Sequence, residues 1–511
     1  MTDWGDGYVA DIAYTPGFYR ELSPVWLHHA AELVHTAAPS PDAPLAYCDL
    51  GCGQGFGTLV LAAQFPDSAF HGIDFNPGQI ANARDLAQQG GVANAHFHEL
   101  SFQQAADADA GALPVFDVVG IHGIYSWISA ANREAIVRFL DRWLKPGGLV
   151  YISYNCMPGW AAMAPLQRLL AEHAERHPDR SDAQIKGAMA HVQALRGDNL
   201  GFFTANPLAG KRLDALADKD RRYLAHEFLN AHWHPLYHTD VRAELAAAKL
   251  EYAGSASLLE NFDTLALPEA ARRHKAAAPD NAMAELVKDY ALNQQFRRDL
   301  FVKGRRALTA VEESEGVRER RFTLIKRRED VTFTFQTPQG EATGDEALYK
   351  AVCDALSAGV TRVQDILERT GLDLARANQA LAVLCASGQA HSLRAAVSDD
   401  ARAAAKRFNA AVAHRAMLGD AYAYLAAPAI GTALSTGTVE MACYDVLAAQ
   451  DVRDAETLGA AVWQRLRQRG TRLKRDGEVL RTERDNQREA VAQAGQVLEA
   501  KVPLWRHLGV L

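Results

Sequence analysis

Residues 47–57 read Tyr-Cys-Asp-Leu-Gly-Cys-Gly-Gln-Gly-Phe-Gly. A short apolar run ends at Asp49, glycines recur at 51, 53, 55 and 57, and an apolar helical pattern follows. Glycine admits positive φ and lets a ligand lie against the main chain where a Cβ would collide. At the carboxyl end of a parallel strand, such a turn forms a nucleoside-binding crevice. A dinucleotide fingerprint needs a further glycine where this chain has Phe56, so no pyrophosphate cradle is specified. The loop is expected to take S-adenosylmethionine rather than NAD.

Working outward from the loop, apolar strands at 45–50, 69–73, 95–98, 116–122 and 149–154 alternate with amphipathic helices at 58–65, 77–89 and 132–144. That alternation implies right-handed crossovers and a parallel sheet buried on both faces. Residues 161–230 are alanine-rich and helical, and read as an insertion over the sheet's carboxyl edge. Two later strands, 250–258 and 296–302, are expected to complete the sheet. The expected fold is therefore α/β, a Rossmann-like seven-stranded sheet with a helical insertion, followed by a winged-helix-like and helical C-terminal region.

In that region the Glu- and Arg-rich stretch 312–321 reads as a linker, and Val331, Phe333 and Phe335 alternate as an edge strand. Helices at 345–358, 361–370 and 373–386 and a strand at 388–393 give a helix–helix–helix–wing outline. The remainder is helical, and the closing segment 502–505 is expected to dock on the body. Expected boundaries are 1–160, 161–238, 239–311, 322–395 and 396–511.

At 511 residues the chain needs more than one core. A formal net charge of −8 argues against a dedicated nucleic-acid binder. Six widely scattered cysteines suit a reducing compartment rather than a disulfide scaffold. The first residues lack the basic and apolar regions of a signal peptide, and no apolar run is long enough to span a bilayer. A cytoplasmic location without membrane insertion is expected.

The candidate site residues follow the strand ends. Asp49 either holds the glycine turn and faces the cofactor's amino group or serves a structural turn. Asp74, followed by Phe75, stands where ribose hydroxyls arrive and a carboxylate can accept from both; the plain alternative is a helix cap, for which Asn76 is better placed. Ser101 and Phe102 follow the third strand, where adenine contact competes with packing. His122, ending the fourth strand, is a base or a hydrogen-bonded strand-end histidine. Tyr125 and Trp127 could hold a sulfonium over a π face, line the acceptor channel or fill the core. Tyr154 ends the fifth strand, and Glu227, beside His226, is a polar group on the insertion facing the cleft. Histidines 226, 232, 234 and 238 do not read as a metal site, because Pro235 interrupts the helical turn and no cysteine or carboxylate set joins them.

The chain resembles the class I methyltransferases carrying a methyltransferase regulatory domain. The similar stretches are the loop at 49–57, His-Gly-x-Tyr-Ser-Trp within 116–128, Tyr-Asn-x-x-Pro-Gly-Trp at 154–160, residues 223–229, Phe-Arg-x-x-Leu within 293–303, and the tail. Characterised members are bacterial protein lysine methyltransferases that modify outer-membrane proteins. The resemblance implies that residues 14–27, with Tyr14, cover the cofactor and that the winged-helix-like region makes protein contacts. With the strand-end readings above, the expected cofactor contacts are Tyr14, Asp49, Gly51, Gly53, Gly55, Asp74, Phe75, Ser101, Phe102 and His122, and the cleft is expected to be shaped by Tyr125, Trp127, Tyr154 and Glu227. The expected activity is methyl transfer to lysine side chains of a protein partner, an outer-membrane protein among them; the alternative is a small-molecule acceptor, with the extra domains serving homodimer formation. A winged-helix DNA regulator is disfavoured because Arg376 is the only basic residue of 373–386.

Overall fold

Seven strands, β1 (Ala46–Leu50), β2 (Ala69–Asp74), β3 (Ala95–Glu99), β4 (Phe116–Ile121), β5 (Leu144–Asn155), β6 (Leu250–Ser255) and β7 (Phe296–Lys303), form one sheet in the order β3-β2-β1-β4-β5-β7-β6. They belong to a computed structural model that describes residues 5–9, 11–12, 17–419 and 421–511. Strands β1 to β5 are mutually parallel, and β7 runs antiparallel between β5 and β6. The five-strand alternation and the two displaced strands expected from the sequence are thus one mixed sheet.

Successive residues feed opposite cores, as the period of two demands. Tyr47, Phe70, Val118 and Tyr151 enter one core, whereas Cys48, Leu50, Ile73, Val119 and Ile152 enter the other. The first of these cores continues without a break into the C-terminal region, through Phe322, Phe408, Tyr444 and Trp505. The insertion, helices Ala164–Arg176, Ser181–Gly197, Gly201–Ala205, Pro207–Leu216 and Arg221–Phe228, has its own small core around Leu170, Ile185, Val192 and Phe228.

The stretch expected as a linker is instead a helix, Ala310–Glu319. Thr309 and Glu312 close a capping box at its start, and Val317 is buried. Charge density suggested solvent, but a helix needs only one buried stripe. The three helices beyond it are present as Glu346–Ser357, Val363–Thr370 and Leu374–Ala386. The strand Ala390–Leu393 pairs with Arg321–Leu324, not with the segment around Phe335, which forms its own hairpin, Thr334–Thr337 with Gly340–Thr343. The closing segment docks as expected: Trp505 is buried edge-on against Tyr444, whose hydroxyl donates to the Val510 carbonyl. No described helix is long and apolar enough to cross a membrane.

Candidate active site

The glycine loop leaves β1 at the carboxyl edge of the sheet and lies against β2. Gly51 N–H and Cys52 N–H both donate to the Ile73 carbonyl, at 2.8 and 3.1 Å. Gly51 has φ +85°, and a Cβ there would come within 2.5 Å of Ile124 Cδ1. Gly55 has φ +69°, and its Cβ would meet Phe97 Cε1 at 2.5 Å. Glycine at these positions is set by backbone conformation and by close approach together. Helix Phe56–Ala62 starts directly from Gly55, two residues earlier than its apolar pattern predicts.

The two strand-end carboxylates divide the work differently from expectation. Asp74, not Asp49, holds the loop: its Oδ2 accepts from Gly53 N–H at 2.9 Å and its Oδ1 from Asn76 N–H at 2.9 Å. Register explains the exchange, because Leu50 pairs with Ile73, and the next residue of β2 therefore faces the turn. Burial raises the Asp74 carboxyl while these N–H donors pull it down. Asp49 accepts instead from Thr58 Oγ1 at 2.7 Å, and burial pushes it up to about 6. Asn76 takes the capping role, accepting from Gly78 and Gln79 N–H.

Loop and insertion enclose a cavity of about 670 Å³. Its glycine-loop side carries Asp49, Gly51, Gly53, Asp74, Phe75 and Phe102, with Ser101 beside them; Gly55, expected among the contacts, is not in the lining and packs against Phe97 and Ala83 instead. Ser101 caps helix Phe102–Ala106 in a capping box with Gln104, which commits its hydroxyl to backbone. His122 lies in the wall, with Nδ1 2.8 Å from Tyr151 Oη and 3.2 Å from Ser153 Oγ. Burial and the neighbouring Arg298 charge push it down to about 3, so it is neutral at physiological pH. Tyr14 falls outside the described residues, but Tyr8 and Tyr19 of the same N-terminal region line the cavity, and Tyr19 covers the His122 ring at 3.6 Å. Backbone bonds from Val9 to Asn230 Oδ1 and from Ala231 to the Gly7 carbonyl fasten this region to the insertion.

The lining also carries the aromatic residues Trp127, Trp160, Tyr223 and Phe296, and Glu227. Glu227 accepts from Asn155 Nδ2 at 3.3 Å, and Tyr223 donates to it as well. Desolvation outweighs both donors and pushes its carboxyl up to about 7. Gly159 lets the turn after β5 close on residues 293–295, where a Cβ would strike the Gln294 carbonyl oxygen at 2.1 Å.

Two residues expected in the cleft stand behind its wall. Tyr125 is fully buried and donates to Glu244 Oε2 at 2.5 Å. Tyr154 is buried too and donates to Asp299 Oδ2 at 2.6 Å, in a network with His238 and Arg297. Adjacent strand residues face opposite sides, so turning Tyr154 inward is what turns Asn155 toward Glu227. Residues that sequence reading left out are Tyr19, Asn155, Tyr223 and Arg298. Tyr223 was findable, four residues before Glu227 on one helix; Arg298 had no local signal. Among the described residues no group of three or more His, Cys, Asp or Glu side chains is placed to hold a metal ion.

Residues 41–223 match the family described as a methyltransferase domain, and residues 220–303 the predicted methyltransferase regulatory domain. An uncharacterised Synechocystis protein, sll1526, is 35% identical over 511 residues, which is 99% of each chain. The chain belongs to the class I S-adenosylmethionine-dependent methyltransferases with a regulatory domain. PKMT2 from Rickettsia typhi superposes on this methyltransferase with a TM-score of 0.69 at 17% identity, over 95% of this chain and 98% of that one. The same Rickettsia protein has been solved in complex with AdoHcy, with a TM-score of 0.68 at 18% identity over the same shares. At such identity the likeness is one of fold. A trans-aconitate 2-methyltransferase from Methylobacterium nodulans is 33% identical over 110 residues, 22% of this chain and 38% of that one. Gly51 and Gly53 line the cavity without side chains and the buried Asp74 carboxylate stands beside them, a lining that fits the nucleoside end of the methyl donor.

Proposed function

We propose that this methyltransferase acts on lysine side-chain amines of a protein. The observation that carries the reading is Glu227, a partly buried carboxylate pushed up to about 7 inside an aromatic wall, in the same cavity as the glycine loop. S-adenosylmethionine supplies the methyl group as an electrophilic carbon on its sulfonium. The loop at Gly51 and Gly53 seats the nucleoside end, and Asp74 keeps lone pairs for ribose hydroxyls. Phe75, Ser101 and Phe102 flank the adenine position, Asp49 and His122 border the methionyl end, and Tyr14 belongs to the covering segment.

A lysine with its reference pKa of about 10.4 must lose a proton before it can attack, at a cost of about 4 kcal/mol near pH 7.4. Trp127, Trp160 and Tyr223 exclude water and disfavour the ammonium. Glu227 attracts the incoming ammonium and holds its proton on a carboxylate oxygen. Asn155 and Tyr223 fix that carboxylate, while Tyr154 and Tyr125 act only from behind the wall. Alignment of amine and methyl carbon supplies the rest of the acceleration.

Purified enzyme incubated with methyl-labelled S-adenosylmethionine and bacterial envelope proteins is expected to label lysine in tryptic fragments read by mass spectrometry. Label found only in small molecules would defeat the lysine assignment. It would favour the second reading, a small-molecule acceptor, which the 33% identity over 110 residues to a trans-aconitate 2-methyltransferase supports.

A further inference from the structure

We infer that Arg298 is a carboxylate anchor in the cavity wall. It stands on β7 opposite Ser153 of β5, with its guanidinium 5.0 Å over the ring of Phe296, another lining residue. Among the described residues its side-chain polar contacts are few and long. One terminal nitrogen donates to Ser257 Oγ at 3.4 Å, and Nε, though buried, has no hydrogen-bond partner. The nearest carboxylate oxygen, Glu21 Oε1, is 3.8 Å from Nε, and the same oxygen lies 3.9 Å from Arg20 Nε. Among the described residues these two guanidinium groups share the Glu21 carboxylate, and neither has a second carboxylate in ion-pair contact.

The neighbouring residue shows what a structural arginine looks like in this protein. Arg297 is fully buried and saturated, with Nε on Asp299 at 3.0 Å and a terminal nitrogen on Glu285 at 2.8 Å, and with Asp289 as a third partner. Arg298 has no such set, and about a third of its side chain is exposed. The neutral His122 nearby adds no charge of its own. A guanidinium stays charged at every accessible pH, and its planar fork matches a carboxylate through two parallel hydrogen bonds. The chemistry it asks for is therefore a ligand carboxylate. Two sources have one: the methionyl end of the cofactor, or an acidic group on the acceptor. The second source rests on the acceptor reading above; the first does not.

Calorimetry on the full chain separates the sources, using S-adenosylmethionine, its decarboxylated analogue and the variants Arg298→Gln and Arg298→Lys. If the anchor holds the cofactor, wild type binds the decarboxylated form about tenfold more weakly, Arg298→Gln binds both forms alike, and Arg298→Lys falls between. If it holds the acceptor, cofactor binding is the same in all three proteins, while Arg298→Gln raises KM for envelope-protein acceptors about tenfold and leaves kcat in place. Arg298→Gln with wild-type cofactor discrimination and wild-type transfer kinetics overturns the inference, as does an equal weakening of both cofactor forms. If wild type labels no envelope protein, the acceptor reading fails separately, and the cofactor arm alone decides.

Discussion

Replacing Glu227 with Gln tests the acceptor half of the site through two independent readouts. Moving a carboxyl from its reference of about 4.3 up to about 7 corresponds to about 3–4 kcal/mol of disfavoured charge. Glu227 still meets water in the cavity, so screening is expected to reduce the measurable part to about 2 kcal/mol. The folded-state pKa is raised, and the folded protein therefore holds this proton more tightly than the unfolded chain. Its contribution is fully present below about pH 4.3 and is lost as pH rises through about 7. Urea unfolding should show the Glu227→Gln variant equal to wild type near pH 4 and about 2 kcal/mol more stable above pH 8. The activity readout runs the other way. Below pH 7 a protonated Glu227 cannot take the lysine's proton, so log kcat/KM should rise with a slope near 1 and level off between about pH 7 and the lysine pKa of about 10.4. The variant should show a slope near 1 throughout and lower rates at neutral pH. A wild-type rate that keeps rising with a slope near 1 above pH 7, or a stability difference that does not change with pH, refutes the assignment.

Gly55→Ala forces a Cβ into Phe97 and Ala83 at a positive φ; a loss of about 2–4 kcal/mol of stability is expected by urea unfolding, from overpacking plus left-handed strain. Asp74→Asn weakens the charge-assisted bonds that hold Gly53 and Asn76, so calorimetry should find S-adenosylhomocysteine affinity down at least about tenfold. Tyr223→Phe removes a donor that lowers the Glu227 carboxyl, and the acid limb of the rate profile should move to higher pH. Arg297→Met leaves Asp289, Asp299 and Glu285 without their shared cation and should cost about 3–5 kcal/mol in urea unfolding.

Local chemistry alone was enough to name much of one wall of the candidate site. Glycines at 51, 53 and 55 between a strand and a helix, and aspartates ending two successive strands, are features of backbone conformation and chain spacing, which travel with the sequence. The strand and helix periods likewise located all seven strands of the sheet. Periodicity fails at the next step because it tells which residues share a face but not what covers that face. Tyr154 and Asn155 are equally good candidates on paper; the polar network around Arg297 draws Tyr154 inward, and Asn155 is thereby left to meet Glu227. Tyr125 is withdrawn in the same way by Glu244, a residue more than a hundred positions away. Arg298 reaches the cavity only because β7 inserts antiparallel beside β5. The acceptor end is assembled from segments far apart in the chain, and long-range packing, which no local pattern encodes, decides which side chains it contains.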